Sequence, residues 1–598
     1  MQKFESRDQI EERYRWNLAD IYADDEAFLA SLEAAGSYPE RCLGFQGTIA
    51  GDPAQLLAFL RLEDEIGVEI GKLMNYASRK SDEDTRVSTY QDYESRVMLL
   101  YTQVAAATSW ATPELLTIDD ETMAGYYEAQ PELELYRRAL DMVFRRREHT
   151  LGQAEEAILA SSIEMAQGPG SIFSLLNDAD LTFKPAVDAE GAEHPVTHGS
   201  YIPLMMSPDR ALRKSAFESL YETYGQFRNT CAATLGAQLK QQKFYADMRR
   251  YPSTLAHSLD GTEVPTEVYT NLIDTVHKHL PTMHRYIELR KRLLAVDELH
   301  FYDLYVPVVA DVEMEFTYEE ACETMLEALA PMGEAYVQTV REALDQRWID
   351  VYENPGKRSG AYSAGSFGMH PYMLLNFQGQ LDDVFTLVHE MGHSMHTHLS
   401  CANQPAVYSD YVIFVAEVAS TCNEALLMQH LLGKTDDKQQ RAYLLNHFLE
   451  QFRGTLYRQC MFAEFELAIN ELVARGEGVT ADALCALYRD LNEQYYGPGI
   501  VLDEQIALEW ARIPHFYYEY YVYQYATGYA AAIALSNRIL AEGAPAVEDY
   551  LGFLKGGSSR TPIELLKGAG VDMATPAPID EALNLFAKLL DEMEELVG

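Results

Sequence analysis

Positive charge, long apolar runs and patterned cysteines are all scarce in this chain. Only 47 lysines and arginines stand against 92 aspartates and glutamates in 598 residues, a formal net charge of -45. Phosphate backbones and anionic membrane surfaces would be repelled, which argues against nucleic acid and membrane as partners. No stretch approaches the ~20 uninterrupted apolar residues of a membrane span, and the opening Met1-Gln-Lys-Phe-Glu-Ser lacks the apolar core of a signal peptide. Seven cysteines, at 42, 231, 322, 401, 422, 460 and 485, are scattered without C-x-x-C spacing. Free thiols in a reducing compartment are therefore expected, and the localisation read from these absences is cytoplasmic. There is no internal repeat and no low-complexity linker.

At 47% hydrophobic residues, the chain can bury a large core, divided among two or three substructures. The apolar period is mostly helical. Helices are expected over 54-80, 84-110, 113-147, 153-168, 207-249 and 266-295, the last starting at Pro265 with Val268, Leu272, Ile273, Val276 and Leu280 on one face. The fold class is predominantly α. Two segments read as β: a hairpin from Leu181 to Ile202 turning at Asp188-Ala-Glu-Gly191, and short strands at Phe301 to Val309 and Tyr372 to Phe377. A domain boundary is placed near 200, giving a helical domain over 1-200 and a larger one over 201-598.

His389-Glu390-Met391-Gly392-His393 is the most informative stretch. Val384, Phe385, Leu387, Val388 and Met391 recur with helical spacing around it, and Asp382-Asp383 offers an N-cap with first-turn negative charge. On a helix, residues four apart share a face, so both imidazoles can reach one ion while Glu390 stays beside it as a proton acceptor. That is the layout of a zinc peptidase. Gly392 costs roughly 1 kcal/mol of helix propensity, tolerable where close packing needs the space.

A third protein ligand is required, with His396, His398, Glu417 and Glu424 as candidates. A ligand at His396 or His398 would need the helix to turn, and no glycine follows His393 until Gly433. Those histidines are expected to support or pack. Glu417 is better placed, in the apolar segment Tyr411-Val-Ile-Phe-Val-Ala-Glu417 that would return as an antiparallel helix, because a carboxylate there needs a partner or a metal. Glu424 shares its face seven residues on and is assigned a hydrogen bond to a ligand imidazole. Zinc suits two histidines and a carboxylate, though Co²⁺ or Mn²⁺ would also fit them.

The motif followed by Glu417-Val-Ala-Ser-Thr resembles the thimet oligopeptidase family of zinc peptidases, in its oligoendopeptidase F branch. The resemblance extends to Gly356-Lys-Arg-Ser-Gly-Ala-Tyr-Ser363, Tyr372-Met-Leu-Leu-Asn-Phe377, His515-Phe-Tyr-Tyr-Glu-Tyr-Tyr-Val-Tyr-Gln-Tyr-Ala-Thr-Gly528 and Trp16-Asn-Leu-Ala-Asp-Ile-Tyr22. It implies an elongated helical zincin-type body with a deep substrate channel, one Zn²⁺ on His389, His393 and Glu417, and Glu390 as general base. His515 and Tyr523 would stabilise the oxyanion, with Tyr520 and Tyr518 contacting substrate. Tyr517 or Tyr518 is an alternative holder of one of the roles of Tyr520 and Tyr523, because the thimet branch has a longer glycine-containing loop between its histidine and the first tyrosine.

An extended substrate could also pair with a free strand edge around Met373 to Asn376, making Asn376 a substrate contact. The activity implied is internal cleavage of short, unstructured peptides. Its rivals are a metallocarboxypeptidase on a related helical fold and a non-catalytic peptide-binding protein. A binder would have no use for Glu390. The oligomeric state is left open.

Overall fold

The computed structural model describes residues 4-309 and 314-597; the first three residues of the opening segment lie outside it. The structure is 72% helical, with two small sheets among the described residues. It forms two compact units, one of residues 1-150, 314-430 and 535-571, the other of 151-313, 431-534 and 572-598. No described helix is long and apolar enough to cross a membrane, and none of the seven cysteines is in a disulfide.

The first unit is built on the helix Pro53–Glu83. Asp52 starts it by accepting from the Ala54 N–H, proline occupies the first turn, and Leu62, Ile66, Ile70 and Leu73 form its buried stripe. That stripe meets Phe28, Val97 and Leu100 in one core, each such side chain contributing about 1.5–3 kcal/mol of burial. The helix expected over 84-110 is Ser88–Thr108, its start delayed because Asp84 and Thr85 close a turn against Arg86 and the Gly356 carbonyl. The single helix expected over 113-147 is in pieces, Ala111–Leu115, Asp120–Ala129 and Arg137–Phe144. Asp119 caps a new start by accepting from the Thr122 N–H, and Pro131 cannot donate to a helical ladder.

The sheet of this unit has three strands, β1 (Ile349–Asp350), β2 (Tyr362–Ala364) and β3 (Tyr372–Leu374), in spatial order β1-β3-β2. β3 runs parallel to β1 and antiparallel to β2. The expected substrate edge at Met373 to Asn376 is therefore corrected, since β3 is the central strand and is paired on both sides. Met373 and Leu375 donate to Trp348 and Asp350 on the β1 side, at 2.9 and 2.8 Å. By alternation, Tyr362 and Ala364 turn toward β3, and Ser363 opposite Met373 turns its N–H outward. No other described strand pairs with that side of β2.

In the second unit, Arg210–Met248 and Thr266–Leu293 are long helices close to their expected bounds. The expected hairpin is there only at its tip, Ala186–Val187 against Glu193–His194, with Asp188 accepting from the Glu190 and Ala192 N–H groups. Its second arm is corrected: Thr197 accepts from the Ser200 N–H and starts the helix His198–Met205. The strand expected from Phe301 is a single helical turn, Phe301–Asp303, because the Asp303 carboxylate accepts from the His300 N–H and is held by Arg210 and Arg213.

Candidate metal centre

Helix α1 (Leu381–Asn403) carries the histidine motif, and helix α2 (Ala416–Lys434) carries the two glutamates. The cap of α1 differs from the expected one: Gln380 precedes the helix in extended conformation, and Asp383 reaches back to accept from the Gln378 and Gln380 N–H groups at 3.1 and 2.8 Å. Leu381, Val384, Leu387, Val388 and Met391 are buried beneath the motif. His393 lies by Glu417 and His389 by Glu424, so the two helices run antiparallel. Gly392 is what lets them meet, since a Cβ there would stand 2.5 Å from the Ser420 Cα and 2.7 Å from the Ala419 carbonyl oxygen.

Three donor atoms converge between these helices. His389 Nε2 and His393 Nε2 are 3.2 Å apart, and Glu417 Oε2 lies 3.4 and 3.5 Å from them. A tetrahedral ion with bonds of roughly 2.0–2.1 Å places its ligands about 3.3–3.4 Å apart, so the triangle has the size zinc requires. No other group of three or more such side chains close enough to share an ion occurs among the described residues. On the far side of its ring, His389 Nδ1 is bonded to Glu424 Oε1, which leaves Nε2 for the shared site.

The electrostatics fit a cation. Burial pulls the His389 pKa down, but Glu417 and Glu424 outweigh it and push it up to about 10. Burial likewise acts to raise the Glu417 pKa, and the two imidazoles overcome it, holding the carboxylate well below its ordinary range. A divalent ion would replace the proton that this charge balance now holds on the imidazole.

Glu390, on the same helix and 7% exposed, belongs to none of these pairs. Burial raises its pKa, opposed by the charges of His389 and His393 and by a hydrogen bond from the Ser363 N–H of β2. Its Oε2 has no hydrogen-bond partner among the described residues. His396 is apart from the triangle, stacked on Tyr411 at 3.7 Å with its pKa lowered to about 3 by burial, and His398 packs against Trp348. Asn376 Nδ2 donates to the carbonyls of Arg358 and Gly360, which shapes the loop entering β2.

The family model for Peptidase family M3 matches residues 203–585, and that for Oligopeptidase F matches 114–183. This chain belongs to peptidase family M3. Oligopeptidase PepF of Bacillus subtilis is 47% identical over 99% of this chain and 88% of its own length. Group B oligopeptidase PepB of Streptococcus agalactiae is 42% identical, covering 99% of both chains. Among solved structures, oligoendopeptidase-F from Enterococcus faecium has a TM-score of 0.75 at 38% identity, covering 96% of this chain and 99% of its own. A Chlamydophila abortus structure reaches 0.93 at 37% identity, covering 99% of this chain and all of the other. The M3 chain is thus a peptidase with a donor set able to hold a metal.

The remaining expected residues of this M3 chain lie in its second unit. His515 sits in the turn Pro514–Tyr517 and is ringed by Tyr518, Tyr521 and Tyr525 at centroid distances of 5.8, 6.0 and 6.1 Å. Partial burial lowers its pKa, favouring the neutral imidazole. Tyr518 is exposed, whereas Tyr523 is 2% exposed against Tyr269 and the Tyr520 hydroxyl bonds Thr254 Oγ1 at 2.9 Å. Sequence reasoning passed over Tyr521 and Tyr525, whose four-residue spacing was a usable signal, and Ser363, whose outward N–H only the sheet order reveals.

Proposed function

We propose that the protein is a zinc-dependent endopeptidase that hydrolyses internal bonds of short, unstructured peptides, with Glu390 as general base. The observation that carries this reading is the donor triangle of His389, His393 and Glu417, beside a buried carboxylate with one oxygen unpartnered. A zinc ion on those donors supplies Lewis acidity toward a carbonyl and a water whose pKa is near 7. Glu390 takes the proton of the attacking water and passes it to the departing amine, its Ser363 contact fixing one oxygen and leaving the other to move the proton. Glu424 orients the His389 ring.

The edge of β2 supports the substrate class. Its outward Ser363 carbonyl is left to bond an extended peptide, the Ser363 N–H being committed to Glu390, and a main-chain contact of this kind depends little on substrate side chains. His515 and Tyr523 are proposed as donors to the developing oxyanion on the strength of the sequence resemblance. The division near residue 200 is proposed as one of sequence modules, supported by the gap between the two family matches, 114–183 and 203–585. A cytoplasmic location is proposed from the free cysteines and the sequence composition.

A quenched fluorescent peptide of roughly a dozen residues, assayed with and without chelator and mapped by mass spectrometry, tests the reading. Internal cuts lost on chelation and restored by zinc are expected. Removal of C-terminal residues only would make it a carboxypeptidase, and no cleavage would make it a binder.

A further inference from the structure

Glu466 is a buried acid that the proposed chemistry leaves without a task. It lies on the helix Arg458–Ala474, 1% exposed, and burial raises its pKa well above the ordinary carboxyl range. Its Oε1 accepts from the Tyr520 N–H at 2.7 Å, and its Oε2 has no hydrogen-bond partner among the described residues. Tyr520 has φ +50°, a left-handed conformation uncommon for a non-glycine and held only where the surroundings enforce it.

The enforcement is visible on both sides of that residue. The Tyr520 hydroxyl bonds Thr254, which also donates to Asn470 Oδ1 at 3.2 Å, and Asn470 donates to the main-chain carbonyl of Glu466 itself. Ser258 Oγ donates to the Glu519 carbonyl, and His257 pairs with the Glu519 carboxylate. Tyr520 therefore sits at a reversal of the chain between His515 and Tyr523, and Glu466 is the acceptor that the reversed N–H finds in an interior with little water to replace it.

We infer that Glu466 is a positioning residue for catalysis: by holding the Tyr520 N–H it fixes the left-handed reversal that sets His515 and Tyr523 relative to one another. The inference rests on the proposed oxyanion role of that segment. It requires an acceptor at position 466 and does not require a negative charge, which explains how a carboxyl can be buried there with no basic partner among the described residues.

The test compares Glu466→Gln with Glu466→Leu in the full-length zinc-loaded protein, with Glu390→Gln alongside. Glutamine keeps a carbonyl acceptor and leucine keeps only the volume. The expected result is kcat within about threefold of wild type for Gln, and a fall of about 10- to 100-fold for Leu with KM within threefold and one zinc retained. Wild-type kcat in Leu, or equal losses in Gln and Leu, overturns the inference. Should Leu not fold, the Tyr520 amide of the wild-type protein is read by hydrogen exchange; protection equal to that of the helix cores supports the inference, and exchange at the rate of an open loop overturns it. Full activity in Glu390→Gln would instead overturn the proposed function, so the two failures are distinct.

Discussion

The helix pair that carries the donor triangle and the tyrosine segment 515–525 are both dense in polar side chains but are held in place differently. In the helix pair the four residues of the donor site obey a repeat: His389 and His393 are one turn apart, Glu417 and Glu424 two turns apart, and the partner of each lies on the facing helix. In the tyrosine segment the backbone passes through a short helical turn, an extended residue and a left-handed one. Thr234 and Thr254 hold its Tyr517 and Tyr520 hydroxyls and Glu466 holds the Tyr520 main-chain N–H, partners from 54 to 283 positions away in sequence. A regular backbone carries side-chain direction forward from sequence alone, whereas an irregular one takes it from tertiary partners.

The largest expected contrast follows from removing a donor. Glu417→Ala should empty the site, zinc per chain falling from about one to near zero with activity lost in parallel, while His515→Ala keeps its zinc and loses turnover. Metal analysis of the two purified variants checks this, and a zinc-depleted His515→Ala would break the separation between the regions.

Within the tyrosine segment, Tyr523→Phe should lower kcat by about 100-fold with little change in KM, whereas Tyr520→Phe should change either by less than threefold, because the Tyr520 hydroxyl is committed to Thr254. Steady-state kinetics on one peptide separates them. Equal effects would mean that the two hydroxyls do not differ in role.

Glu424→Gln keeps the shape of the contact with His389 and removes its charge, and should weaken zinc binding by about 10- to 100-fold, read by competition with a chelating dye. Retention of wild-type affinity would remove Glu424 from the metal's support. The smallest effect concerns packing. Gly392→Ala drives a methyl group into the Ser420 backbone and should cost about 1–3 kcal/mol, while Gly125→Ala, with nothing within 4 Å, should be neutral or stabilising by up to about 1 kcal/mol. Denaturant melts of both variants measure the difference.

This contrast also explains what could be read before the structure was known. The long helices from 53 to 83, 210 to 248 and 266 to 293 follow from uninterrupted apolar periods. The stretch 113-147 kept that period yet broke at Asp119 and Pro131, where local capping and a missing N–H outweigh amphipathicity. The close approach of the two donor-bearing helices was legible in Gly392. Sheet order was not, because short apolar strands do not announce which of them is central, and the free edge was expected on β3, which is the central strand. Nothing in the sequence around Glu466 signals its bond to Tyr520, 54 residues away.

The central claim is that three side chains hold the metal while a fourth, Glu390, moves the proton. Glu390→Gln with metal content and turnover determined on the same sample tests it most directly. The account predicts one zinc per chain and turnover reduced by about 10²- to 10⁴-fold. Loss of the zinc, or turnover close to wild type with the zinc in place, would contradict it.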